Sequence, residues 1–184
     1  MKRIFIAVKI GPDEVFRKVI STFKFGLKDE NINWINPENI HLTLAFLGDT
    51  EEGKIKVISS VIKEKCEGFG NFEIKVKGTG VFKNLNDPRV IWTGIETSEK
   101  LKQLYILINK CLGEADIKIE DRLFKPHLTL GRIKHMKPGN SLKDLIEKYR
   151  ETQLQLVPVN EIILYESILL PQGPVYKPIS IYKI

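Results

Sequence analysis

The string His-Leu-Thr-Leu occurs twice, at His41-Leu42-Thr43-Leu44 and at His127-Leu128-Thr129-Leu130, and takes two of the three histidines in a chain of 184 residues. An imidazole with an ordinary pKa near 6.5 can donate or accept a proton at neutral pH. Side chains alternate along a strand, so His and Thr two apart share one face while the two leucines point the other way, into a core. Each copy therefore offers an imidazole beside a hydroxyl above an apolar anchor. Two copies facing each other make a symmetric acid–base site. Such a site suits displacement at phosphorus: one imidazole activates the nucleophile, the other protonates the departing oxygen, and Thr43 and Thr129 donate to the non-bridging oxygens. A pH–rate profile shaped like a bell around neutrality is the expected signature.

The residues leave other readings open. Two histidines on separate strands could ligate a metal, but a stable site wants a third or fourth ligand. Only His135 remains, and it lacks the motif's neighbours and reads as surface or loop. Neither motif contains Asp or Glu, which weakens a carboxylate-and-metal phosphatase. Both histidines could also be core groups satisfied by hydrogen bonds. Arg132 is a candidate for phosphate or base contact. Strict alternation sets it opposite His127, so it reaches the groove only if Gly131 permits a bulge or the strand ends there; a structural salt bridge is the alternative. Phe46, two after Leu44, falls on the apolar side by alternation and reads as core rather than as a platform for a base. Trp34 and Trp92 read as packing residues, with stacking on a single-stranded RNA end as the functional alternative.

The elements that must position these residues follow from periodicity. Residues 2–9 alternate and are β-branched, which predicts a strand. Pro12-Asp13 opens a helix with an apolar stripe of Val15, Phe16, Val19, Ile20, Phe23 and Leu27. Residues 40–47 form the first motif strand, stopped by Gly48-Asp49-Thr50. A second helix turns Ile55, Ile58, Val61, Ile62 and Cys66 inward. Strands near 72–82 and 89–96 flank the turn-rich Asn84–Pro88. Ser98 caps a third helix with Leu101, Leu104, Tyr105, Ile108 and Leu112 inward. The second motif strand spans 127–133. Ser141 with Asp144 resembles a capping box for a fourth helix carrying Leu142, Leu145, Ile146 and Tyr149. Strands near 153–157, 161–170 and 175–183 close the chain, with Pro171–Pro174 as the last turn.

The two halves run alike: motif strand, turn, helix, two strands, with the histidines 86 residues apart. The expected architecture is an internally duplicated, bilobal α+β fold over residues 1–184, read as one domain with a motif in each lobe. Two antiparallel sheets face each other across a central cleft, with helices outside. Hydrophobic residues make up 42%, enough for a core, and the charged 28% are dispersed, which argues against disorder. The net charge of +6 favours a polyanionic partner only mildly, since most of the cations are lysines. Cys66 and Cys111 lack the spacing of a metal or redox motif and read as buried thiols. The apolar run Ile4–Val8 is too short for a signal segment, no stretch could span a bilayer, and a cytoplasmic location is the default.

The chain resembles the two-histidine phosphoesterase superfamily, in particular the RNA 2′,3′-cyclic phosphodiesterases also called 2′-5′ RNA ligases. The resemblance lies in the motif His-x-Thr/Ser-x, present twice, here within His41–Gly48 and Pro126–Arg132. It extends to Arg3–Ala7, Trp34, Arg89–Gly94, Tyr165-Glu166-Ser167, Gly173 and Tyr176, and so covers essentially the whole chain. It implies both motifs lining one cleft, no metal and no organic cofactor. It implies hydrolysis of a 2′,3′-cyclic phosphate at an RNA end, tRNA fragments among the possible partners, to a 2′-phosphomonoester. It also implies His41 as proton donor, His127 as proton acceptor, and Thr43 and Thr129 on the phosphate oxygens. The reverse joining of such an end to a 5′-hydroxyl follows from microscopic reversibility. An RNA-end binding protein without efficient chemistry, or a phosphodiesterase for small cyclic nucleotides, are the alternatives. No membrane and no obligate protein partner are implied.

Overall fold

Asp13 accepts a hydrogen bond from the Phe16 backbone N–H at 2.8 Å and starts helix α1 (Glu14–Gly26). Ser98 does the same for Leu101 at 3.2 Å and starts α3 (Glu99–Glu114). α2 spans Glu52–Cys66 and α4 spans Ser141–Tyr149. The computed structural model describes residues 1–119, 123–137, 139, 141–171 and 173–184. The position before Ser141, which would cap α4, and residue 172 of the last turn lie outside these. Ser141 is itself the first helical residue. The α1 stripe buries Phe16, Val19, Ile20 and Phe23 as spaced, but Val15 is 56% exposed, one residue off the buried face.

The strands are β1 (Lys2–Lys9), β2 (Asn31–Trp34), β3 (His41–Thr50), β4 (Phe72–Asn84), β5 (Asp87–Glu96), β6 (His127–His135), β7 (Gln153–Val159), β8 (Glu161–Leu170) and β9 (Gly173–Lys183). β3 continues through Gly48, which adopts φ +66° inside the strand, so the expected stop at 48–50 is absent. All pairings are antiparallel, in two sheets of order β3-β1-β8-β9 and β2-β6-β5-β4-β7. The fold is thus the duplicated α+β arrangement, but the sheets are not the two halves of the sequence. β4 and β5 join the second motif's sheet, and β8 and β9 join the first motif's. Helices α2 and α3 pack with β9 and β3, while α1 and α4 pack with β7 and β4. A single apolar cluster runs from Ile4 on β1 through Leu42 and Leu44 to Leu128 and Leu130 on β6. All four motif leucines are buried, as alternation requires.

Each motif strand carries an extra residue at the same place, directly after the motif threonine, and β3 carries a second at Leu47. Ala7 pairs with Thr43 but Ile6 pairs with Ala45, so Leu44 is bulged; Trp92 pairs with Thr129 but Ile91 pairs with Gly131, so Leu130 is bulged. A bulge reverses the facing of the side chains that follow it, up to any further bulge. The freed carbonyls find donors: Ile35 N–H donates to Leu130 O at 2.8 Å, and Asn109 Nδ2 donates to Leu44 O at 3.5 Å.

A Cβ at Gly131 would stand 2.8 Å from Ile32 Cγ2 and 2.9 Å from the Trp34 ring, both packed from β2. Gly131→Ala is therefore expected to lose about 1–3 kcal/mol of stability by overpacking. Gly53→Ala on α2, where nothing lies within 4 Å, should be neutral or gain about 0.4–1 kcal/mol. Denaturant midpoints of the two variants check the contrast.

Candidate active site

β3 and β6 approach each other where the two sheets meet. One cleft of about 380 Å³ opens there, lined by His41 and Thr43 from one strand and His127 and Thr129 from the other. All four motif side chains come together as the alternation predicts. Among the described residues neither threonine hydroxyl is engaged in a hydrogen bond.

The bulges extend this set by one residue from each strand. Arg132 lies three after Thr129, and the bulge at Leu130 brings it onto the cleft face beside His127. Phe46 holds the equivalent place three after Thr43, and the bulge at Leu44 turns it to the cleft as well. The expectation that Phe46 belongs to the core is thus corrected, because alternation does not survive the extra residue. The Arg3 guanidinium covers its ring at 5.0 Å. Tyr105, expected to point inward from α3, instead stacks on Phe124 at 4.0 Å along the cleft wall. Trp34 packs with the core cluster, and Trp92 lies against Phe82 at 5.5 Å over Gly80, where any Cβ would meet the indole. Both tryptophans are packing residues, and His135 ends β6 exposed.

The two imidazoles are held alike. His41 Nδ1 lies 2.7 Å from the Asn39 carbonyl, and His127 Nδ1 lies 2.6 Å from the Lys125 carbonyl. A carbonyl only accepts, so in both rings Nδ1 carries the proton and Nε2 is left for a ligand. Aromatic rings fix them further. Phe5 and Tyr176 flank His41 at 4.9 and 5.0 Å, and Phe82 meets His127 edge-on at 4.6 Å. Tyr176 arrives from β9, and no local spacing in the sequence links it to His41.

Burial among these rings pushes both imidazole pKa values below the ordinary 6.5. The bonds to Asn39 O and Lys125 O oppose this in part, and the Arg132 charge lowers both further. His41 also feels the charge of His127. At neutral pH both rings are therefore mainly neutral, each with an accepting Nε2. An anion entering between them reverses the balance, since an opposite charge favours the protonated form. Elsewhere, Cys66 and Cys111 are buried free thiols, and burial pushes Cys66 up to about 12. Among the described residues no three His, Cys, Asp or Glu side chains gather to hold a metal, and no helix is long and apolar enough to cross a membrane.

The sequence signature of the LigT like Phosphoesterase family matches twice, over residues 10–92 and 95–176. A protein of Methanothermobacter thermautotrophicus named RNA 2′,3′-cyclic phosphodiesterase is 34% identical over 184 residues, covering 99% of this chain and 98% of the relative. One of the same name from Thermotoga maritima is 35% identical over 176 residues, covering 95% and 91%. The crystal structure of TT0787 of Thermus thermophilus superimposes with a TM-score of 0.77 at 27% identity, covering 98% of this chain and 97% of that one.

Because the Arg132 charge lowers both imidazoles, Arg132→Ala is expected to raise the pKa of each. Imidazole proton resonances followed against pH in the two proteins measure this. Unchanged values for both rings would place the guanidinium outside the cleft.

Proposed function

The chain belongs to the LigT-like phosphoesterase family, and from that premise we propose that it hydrolyses RNA 2′,3′-cyclic phosphate ends to 2′-phosphomonoesters by two-histidine acid–base catalysis without a metal. The observation that carries the reading is the matched pair: two imidazoles of the same tautomer, each beside a hydroxyl, on opposite walls of one cleft. The names of the relatives support the substrate class.

In this reading the whole chain acts as one two-lobed unit. The anionic cyclic phosphate binds between the histidines, where Thr43 and Thr129 donate to its non-bridging oxygens and Arg132 offsets the charge that builds on them. Substrate binding returns a proton to His41 Nε2. Neutral His127 Nε2 takes a proton from water as the water oxygen attacks phosphorus. The P–O3′ bond then breaks and His41 donates its proton to O3′, leaving a 2′-phosphate and a 3′-hydroxyl. The next cycle begins when the proton on His127 is lost and His41 regains one. The assignment of donor and acceptor comes from the family resemblance, and the Phe46 face is the natural platform for the terminal base. With an RNA 5′-hydroxyl in place of water the same steps run forwards: its oxygen bonds to phosphorus as His127 takes its proton, the P–O3′ bond breaks as His41 protonates O3′, and a 2′-5′ linkage results; tRNA fragments with cyclic ends are substrates of the right chemistry.

Each proton transfer contributes about 10²–10⁴-fold. His41→Ala and His127→Ala are each expected to lose that much turnover of a cyclic-ended oligonucleotide while keeping the wild-type fold. The bell expected around neutrality moves to the acid side of 6.5 in the kcat/KM profile of the wild type, because both rings titrate low. The two limbs report the macroscopic ionisations of the interacting pair, the active form being the one with His41 protonated and His127 neutral. Full activity in either variant, or tight RNA binding with no conversion in the wild type, would contradict the reading.

A further inference from the structure

We infer that a second cavity, adjoining the cleft at His41, holds the penultimate nucleoside of the RNA strand, so that the enzyme grips two nucleotides. The inference rests on the reading of the cleft as a cyclic-phosphate site. This cavity measures about 290 Å³ and shares Asn39, His41 and Tyr176 with the cleft. Each space lies near the lower end of small-ligand pockets, roughly 300–1,000 Å³, so one nucleotide suits each.

The second cavity lies on the open face of the four-stranded sheet. Its floor is apolar: Ile163 pairs with Ile181 and Tyr165 pairs with Pro178 across β8 and β9. Ile181 is 56% exposed and left uncovered on that face. An apolar floor bordered by the Tyr165 and Tyr176 rings suits the face of a base, which stacks regardless of sequence. The rim is polar, with both carboxylates already engaged. Glu38 pairs with Arg17 at 3.5 Å and Glu161 pairs with Lys183 at 2.6 Å.

Lys9 also lines this cavity and pairs with no carboxylate among the described residues. It is the register partner of His41, so its side chain springs from the backbone beside the residue that the two spaces share. With O3′ of the terminal ribose at His41, that ribose lies on the His41 side, and its 5′-phosphodiester passes between the two spaces there. Lys9 is placed to meet this internal diester, a group that a mononucleoside cyclic phosphate lacks.

The test compares kcat/KM for a mononucleoside 2′,3′-cyclic phosphate with that for di- and trinucleotides ending in the same group. The dinucleotide should exceed the mononucleotide by about tenfold or more, and the third nucleotide should add less than twofold. Lys9→Ala and Ile181→Glu, both at exposed positions, should each remove most of that gain and leave the mononucleotide rate within twofold. Equal turnover of mono- and dinucleotide by the wild type, or equal losses on both in the variants, would overturn the inference while the phosphodiesterase reading stands. Turnover of none of the three would overturn both.

Discussion

In both motifs the ring nitrogen Nδ1 is tied to the backbone carbonyl two residues before the histidine, and the rest of the site follows from that bond. It sets the tautomer, and so decides that Nε2 is the nitrogen that meets a ligand. It also fixes the ring plane, because the carbonyl belongs to chain already committed to the strand: Ile10 N–H holds Ile40 O at 3.0 Å, and Ile95 N–H holds Pro126 O at 3.1 Å. The tether on the His41 side is itself anchored, since Asn39 Nδ2 donates to Pro174 O at the tip of the last hairpin. Rings held in one tautomer need no rearrangement when an anion arrives, which is what makes preorganised donors and acceptors effective.

The bulges add what identical motifs lack. Two copies of His-x-Thr would give a site with no direction. One residue further on, the inserted leucine turns the chain over, and the two strands then deliver different groups: a ring under a guanidinium at Phe46, and a cation at Arg132. A duplicated frame thereby gains a different group at each end, an aromatic ring at one and a guanidinium at the other, as an asymmetric substrate with a base and a phosphate requires. Gly131 is part of this device, because a side chain there would collide with Ile32 and Trp34.

Much of this was legible in the sequence. His41, Thr43, His127 and Thr129 could be assigned to one face because alternation holds over three residues, and Asp13 and Ser98 act through local geometry. The contents of the cleft beyond Thr43 and Thr129 were harder to read. Phe46 escapes alternation because a bulge leaves no mark in composition, whereas for Arg132 the neighbouring Gly131 gives a hint. The repetition of the bulge at both motifs suggests a rule: a duplicated motif is better extended by comparing its copies than by projecting alternation. Tyr176 and the interleaving of β4, β5, β8 and β9 between the sheets depend on pairings more than a hundred residues apart in some cases, which no periodicity encodes. β2 carries no strand signal of its own, because Asn-Ile-Asn-Trp holds only two apolar residues.

The central claim is that His41 and His127 act on one phosphate from opposite walls. Titration with a nucleoside 2′-monophosphate, the product of the proposed reaction, while the ¹⁵N resonances of both imidazoles are observed, tests it most directly. The account predicts that a single equivalent moves Nε2 of both rings, leaves both Nδ1 protonated, and raises both pKa values. A response confined to one ring, or saturation that takes two equivalents, would mean that the histidines serve separate sites.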